Sequence, residues 1–101
     1  MLYKVIVSSG AAKEIAIHVD FLARVNEKAA KKLKKELLEN ICSLNDMPQR
    51  NSFFRSDMVQ NNKYRKMFSA KRYLILYQII EDTVYVDFII DCRQDYQWLL
   101  H

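Results

Sequence analysis

The chain has 101 residues, of which 50% are apolar, with a formal net charge of +4. This length predicts a single domain over residues 1–101, and the apolar fraction excludes an intrinsically disordered chain. The positive surplus either favours an anionic partner, such as nucleic acid, an acidic protein or an anionic membrane, or belongs to an ordinary solvated surface. Two cysteines form neither a disulfide framework nor a metal pattern. No apolar run is long enough to span a bilayer and no signal peptide is visible, so we expect a cytoplasmic protein without a membrane partner.

The first half of the chain predicts a strand followed by two helices. Residues 2–8 alternate and contain β-branched side chains, which favours a short strand, and Ser8 or Ser9 could cap the helix that follows. Helical periodicity covers residues 11–25, and a clearly amphipathic pattern covers residues 27–43, with Asn26 as the cap between them. Because almost no linker separates the two patterns, we expect an antiparallel helical hairpin.

The second half predicts a loop and then three strands. Pro48 cannot continue the second helix, and residues 49–62 are polar with scattered apolar side chains, which is typical of a loop that packs a few of them. From residue 63 the period is two, so we predict strands over the ranges 63–69, 72–80 and 83–91, with a tight turn at Glu81 and Asp82. In the last strand, the side chains predicted to point inward are Val84, Val86, Phe88 and Ile90.

Together these elements predict an α+β fold in the order β-α-α-β-β-β. An N-terminal strand precedes a helical hairpin that packs on an antiparallel sheet. The final residues, 95–101, contain Tyr96, Trp98 and two leucines, which suffice to dock a short helix or strand end.

Basic residues concentrate in one acid-free interval between Asp57 and Glu81. Basic side chains contact phosphates and interleaved aromatic side chains stack on bases, so the interval is compatible with RNA or single-strand binding as well as with the solvent face of a strand. The candidate RNA-binding residues are Lys63, Lys66 and Lys71. A second lysine cluster, at residues 28–35, has the spacing of a solvated helix face.

The sequence has only two histidines, His18 in the middle of the first predicted helix and His101 at the terminus, and these positions argue against a histidine-pair ribonuclease and a Ser-His-Asp or Cys-His hydrolase. No motif for a metal or a nucleotide is present, so we expect no cofactor. RNA cleavage would have to use arginine and lysine to stabilise the phosphate, while tyrosine, glutamate or lysine moves protons and the 2′-hydroxyl is the nucleophile.

The segments "KYRKMF", "RYLILYQIIEDTVYVDFIID" and "CRQDY", in this order after a strand and a helical hairpin, resemble the RelE/ParE superfamily of toxins from type II toxin–antitoxin systems. The resemblance covers nearly the whole chain and implies a small toxin that is neutralised by a cognate antitoxin wrapped on its surface. In this superfamily the RelE-like branch cleaves mRNA in the ribosomal A site. The ParE-like branch inhibits DNA gyrase and is not a nuclease.

The resemblance implies four candidate catalytic residues. Those that match or adjoin basic and tyrosine positions of RelE-like nucleases are Arg65, Arg72, Arg93 and Tyr96. Two departures weaken the match, because Met67 and Leu74 stand where the nucleases carry basic residues. Strand alternation predicts that Arg72 shares a face with Leu74 and partly replaces the missing arginine.

Three functional hypotheses follow. The first is a ribosome-dependent mRNA interferase, the second is a gyrase inhibitor without chemistry of its own, and the third is a non-toxic relic that binds only its antitoxin. In all three, we expect the antitoxin in the groove between helices and sheet, and the resemblance allows an oligomer with the antitoxin.

Overall fold

A computed structural model describes residues 2–57 and 61–92 of the chain and contains one four-stranded sheet with two helices on one face. In chain order the elements are β1 (Lys4–Val7), α1 (Ser9–Ala23), α2 (Glu27–Cys42), β2 (Arg65–Ser69), β3 (Tyr73–Ile80) and β4 (Thr83–Asp91). Two short 3₁₀ turns, Ser43–Asn45 and Pro48–Arg50, follow α2. No helix in the described ranges is long and apolar enough to cross a membrane.

The sheet has the strand order β1-β4-β3-β2. Strands β2, β3 and β4 pair antiparallel through short turns, whereas β1 pairs parallel with β4 at the edge. A parallel neighbour requires a crossover that returns the chain to the same end of the sheet, and the helical hairpin supplies part of that crossover. The predicted α+β fold is therefore confirmed, with β1 as a parallel edge strand.

Both predicted helix caps are confirmed. The side chain of Ser8 accepts a 3.0 Å hydrogen bond from the N–H of Ala11, and that of Asn26 accepts one of 3.0 Å from Ala29. Each bond satisfies a backbone donor that the first helical turn leaves without an intrahelical partner. Ser8, rather than Ser9, is the cap of α1, so the helix begins two residues earlier than the periodicity predicts.

The core is built around β3, which is buried on both faces as predicted. On one face Tyr73, Ile75 and Tyr77 pack against the helices, in a cluster that includes Ile15, Leu33, Leu37, Ile41, Val84, Val86 and Ile89. On the other face a smaller cluster consists of Phe54, Tyr64, Leu74, Leu76 and Ile90, with Phe88 packed against it.

A β-bulge in β4 corrects the predicted facing of that strand. Leu76 pairs with Phe88 but Tyr77 pairs with Val86, so Asp87 is an extra residue in the ladder. An extra residue reverses the alternation beyond it. Val86 therefore faces the helices as predicted. Ile90 is inward as predicted, but it lies with Phe88 at the smaller core cluster on the opposite face, so the prediction that these side chains share one face was wrong.

Contacts from α1 and from neighbouring strands stabilise this bulge. The N–H of Ser8 donates to the Val86 carbonyl at 2.9 Å, and the Ser8 hydroxyl lies 3.4 Å from the Asp87 carbonyl. The Asp87 carboxylate accepts a 2.8 Å hydrogen bond from Gln78 on the other face. On the helix side, the Glu14 carboxylate accepts a hydrogen bond from the Ile89 backbone, and burial raises the pKa of Glu14 above its usual 4.5.

The segment after α2 is held to the sheet by side-chain hydrogen bonds. The hydroxyl of Tyr77 donates to the Pro48 carbonyl at 2.7 Å and accepts from the Asn51 amide at 3.0 Å. Further along, Phe54 enters the smaller core cluster, which confirms that this loop packs a few side chains. The predicted terminal element at residues 95–101 lies outside the described residues.

Candidate partner-binding surface

Arg65, the first residue of β2, is engaged by the loop that precedes it. Its Nη1 donates to the carbonyls of Asn51 at 2.6 Å and Gln49 at 3.2 Å. Its Cζ lies 4.0 Å from the centroid of the Phe53 ring, which is a cation–π distance. The guanidinium is thus used to hold the loop against the sheet edge.

Arg72 lies at the other end of β2, just after a two-residue turn. The turn residues Ala70 and Lys71 have φ values of 52° and 68°, the left-handed pair that a tight hairpin requires. The Arg72 Cζ lies 5.4 Å from the centroid of the Tyr73 ring, which belongs to the helix-side core. Leu74 lies in the cluster on the opposite face.

The prediction that Arg72 and Leu74 share a face was therefore wrong. Strand alternation applies only within a strand, and β3 begins at Tyr73. Arg72 belongs to the turn, and its side chain lines depressions beside the helices. It does not replace a basic residue at position 74.

Those predicted nuclease and RNA-binding residues that lie in ranges 2–57 and 61–92 do not come together at one place. Four residue steps of β2 place Arg65 and the turn before Arg72 about 13 Å apart along the strand. Lys63 lies beside the Tyr64 ring at 5.4 Å, and Lys66 pairs with Leu76 on the face away from the helices. Lys71 is at the turn, so the three lysines lie at three separate places. Arg93 and Tyr96 fall outside the described residues.

Two depressions among the described residues meet at Arg72 and form a groove. Two depressions of about 230 and 420 Å³ share Leu22, Arg72 and Tyr73. The larger is further lined by Ile17, His18, Phe21, Val25 and Asp91. The N–H of Cys92, the last described residue before the chain end, donates to the Arg72 carbonyl at 2.7 Å, so β4 ends beside this groove.

One wall of the larger depression is an apolar stripe on α1, consisting of Ile17, Phe21 and Val25. Their side chains are 58%, 67% and 80% exposed, although residues of this size are usually buried. They recur every four residues and so form one row along the helix. In the sequence this row is visible as three large apolar residues at four-residue spacing beside the core stripe of α1.

The smaller depression brings two basic segments together. Lys32 of α2 lines it opposite Lys71 and Arg72 of the β2–β3 turn, with Glu36 as an acidic neighbour. The sequence shows these segments forty residues apart, and no local pattern indicates that they meet.

Two titratable groups at the sheet, Tyr64 and Cys92, have raised pKa values. Burial raises the pKa of Tyr64 to about 12. The negative charge of Asp87 and a hydrogen bond to its side chain act in the same direction. Burial, and then the charge of Asp91, raises the pKa of the Cys92 thiol, which keeps that thiol protonated. Residues 2–57 and 61–92 contain no group of three or more side chains placed to hold a metal ion.

The fold has the β-α-α-β-β-β order that the resemblance to the RelE/ParE superfamily implies. The family model of the ParE toxin of type II toxin–antitoxin systems, parDE, matches residues 5–96, so the chain belongs to the ParE toxin family. A chain of the chromosomal ParDE TA system from P. aeruginosa has a similar structure, with a TM-score of 0.75 and 11% sequence identity. The similarity covers 89% of this chain and 96% of that chain, and at this identity it shows the fold alone. No curated protein matches the chain in sequence.

Proposed function

We propose that this ParE-family toxin arrests growth by binding DNA gyrase and does not cleave RNA. Within the superfamily that the chain resembles, the ParE-like branch inhibits gyrase and the RelE-like branch cleaves mRNA. Membership of the ParE family directs the proposal to gyrase. Binding requires an accessible surface but no convergent acid, base and phosphate ligands.

The position of Arg65 is the observation that carries this proposal. A phosphate ligand must present free N–H groups to the anion. Arg65 keeps its Nε and Nη2 donors, but the Asn51 and Gln49 carbonyls accept from its Nη1 and Phe53 lies against its guanidinium, so the loop fixes its orientation. Arg65 is also at the opposite end of β2 from Arg72. The pair therefore does not form the arginine clamp that cleavage would use.

We further propose that the cognate antitoxin covers the apolar stripe Ile17, Phe21 and Val25. A row of exposed apolar side chains beside a 420 Å³ depression is suited to an amphipathic segment laid along α1. This location agrees with the expectation of a groove between the helices and the sheet.

Induced expression in a bacterial host, with two readouts from the same culture, tests the target. We expect relaxation of a reporter plasmid, seen as a shift in its topoisomer distribution, while mRNA 5′ ends mapped in the first minutes show no new cuts within codons. New codon-internal cuts with normal supercoiling would instead establish the mRNA interferase hypothesis. Normal growth with neither change, and with antitoxin binding retained, would establish the relic hypothesis.

A further inference from the structure

We infer that Lys28 and Lys32 of α2, with Lys71 and Arg72 of the β2–β3 turn, form a surface that binds the phosphate backbone of duplex DNA. These four residues are called the basic surface below. The inference rests on the proposed function, since gyrase acts on DNA and a toxin bound to the gyrase–DNA complex lies close to phosphates. The inference places the contact with DNA phosphates outside the apolar stripe.

The tertiary structure makes the basic surface continuous. Lys28 and Lys32 are one helical turn apart and therefore lie on the same side of α2. Lys32 lines the 230 Å³ depression together with Lys71 and Arg72. The left-handed conformations at Ala70 and Lys71 define the turn that presents the last two cations beside the helix.

These cations are available for an external anion. Lys28, Lys32 and Lys71 are exposed, and Arg72 is partly buried. The ion pairs on α2 involve other lysines, with Lys31 at 4.0 Å from Glu27 and Lys35 at 3.9 Å from Glu39. Within residues 2–57 and 61–92 none of the four cations of the basic surface forms an ion pair. Glu36 is the one carboxylate that lines the depression among the residues described there.

The surroundings favour a nucleic acid over an acidic protein. A stable protein interface buries apolar and aromatic anchors at its centre. The apolar residues that line the 230 Å³ depression are buried or half-buried, whereas the exposed apolar row lies along α1 in the other depression. Cations without exposed apolar anchors are typical of contacts to a phosphate backbone, which need charge alone.

Fluorescence anisotropy with the purified full chain and a labelled 20-base-pair duplex tests this inference. The test variant carries Lys32→Gln, Lys71→Gln and Arg72→Gln. The control variant carries Lys4→Gln, Lys13→Gln and Arg55→Gln, three exposed cations on β1, on α1 and in the loop before β2, which gives the same loss of charge. At 50 mM salt we expect the test variant to lose at least about tenfold in affinity, since it loses three phosphate contacts. The slope of log K against log salt concentration should become shallower by about 2.7, as three contacts at about 0.9 each predict.

Two results would overturn the inference. Equal losses in the test and control variants would mean that net charge alone attracts DNA. Unchanged DNA binding with weakened antitoxin binding in the test variant would assign the basic surface to an acidic protein. A single-stranded RNA of equal length serves as a second probe, and stronger binding of RNA than of duplex DNA by the same residues would also contradict the inference.

The gyrase proposal is judged separately. Loss of DNA binding by the test variant, combined with a wild-type chain that leaves supercoiling unchanged, would support the basic surface and refute the gyrase target. Inhibition of gyrase by a wild-type chain that binds no DNA would support the gyrase target and refute the basic surface.

Discussion

At the residue scale, Arg65 shows how a side chain that resembles a catalytic arginine can have a structural role. Two backbone carbonyls of the loop accept its N–H groups, and the Phe53 ring lies under its guanidinium. Without Arg65 these carbonyls would have to find water, and the loop would be held at β2 by its backbone hydrogen bonds, such as the one from the Lys66 N–H to the Ser52 carbonyl at 3.0 Å. The sequence places an arginine there but gives no sign of the loop carbonyls that face it.

Replacement of Arg65 by alanine is therefore expected to destabilise the fold. Hydrogen bonds to charged groups contribute about 1.5–3 kcal/mol, so Arg65→Ala should lower the free energy of unfolding by about 2 kcal/mol in urea denaturation. Arg55→Ala, at an exposed arginine of the same loop, is the matched control and should change it by less than about 0.5 kcal/mol. Unchanged stability in Arg65→Ala together with lost toxicity would instead indicate a phosphate ligand.

Tyr64 predicts a second residue-scale effect, on the alkaline stability of the protein. Its pKa is about 12 in the folded chain, compared with 10 for a free phenol. Between these two pH values the folded state binds more protons than the unfolded state, so stability falls as pH rises from about 10 to about 12. Below pH 10 both states are protonated and the effect is absent.

The Tyr64→Phe variant has no phenol at this position, so its stability should fall less steeply in that range. Unfolding by urea at pH 9, 10 and 11 measures the difference. Some decline should remain, because burial also raises the pKa of Tyr77. Identical pH dependence in the two proteins would show that Tyr64 ionises normally in the folded state.

At the scale of the elements, α1 has two apolar rows with different roles. One row, which includes Ala11 and Ile15, is buried against the sheet. The second is the apolar stripe, which is left uncovered. A chain of this size has little stability to spare, and an exposed row of large apolar side chains favours aggregation unless a partner covers it. This is why we assign the stripe to the antitoxin.

Phe21 provides the test, because the chain offers a matched control. Phe21 on α1 is 67% exposed, and Phe68 on β2 is 65% exposed. Phe21→Ser should weaken antitoxin binding by about 30-fold or more, as expected for a buried aromatic anchor, with the affinity measured by isothermal titration calorimetry. Phe68→Ser should leave the affinity within about threefold. Equal losses, or a larger loss in Phe68→Ser, would move the antitoxin to another surface.

Periodicity and capping residues are sufficient to predict the elements themselves. Ser8, Asn26 and Pro48 mark helix ends through local chemistry, so the helices were predicted to within about two residues. The bulge at Asp87 was missed because it depends on how β4 pairs with β3, and no glycine marks it. Arg72 was misplaced for a related reason, since its position is set by a turn whose left-handed residues are alanine and lysine rather than the usual asparagine and glycine.

At the scale of the whole molecule, the groove beside Arg72 separates two surfaces of different character. On one side is the apolar stripe of α1, and on the other is the basic surface shared by α2 and the β2–β3 turn. Contacts between residues far apart in the chain create this division, so the sequence shows both residue types but not their arrangement. The apolar stripe is suited to a protein segment and the basic surface to a phosphate backbone. This division is what the two proposals, for the antitoxin and for DNA, require.

A supercoiling reaction with purified components tests the central claim most directly. Purified gyrase, ATP and a relaxed plasmid are incubated with increasing amounts of the full chain, with and without its antitoxin. The account predicts that the chain prevents supercoiling in a concentration-dependent manner and that an equimolar amount of antitoxin restores it. Complete supercoiling at a large excess of the purified chain would contradict the account if the same chain still arrests growth when it is expressed in cells.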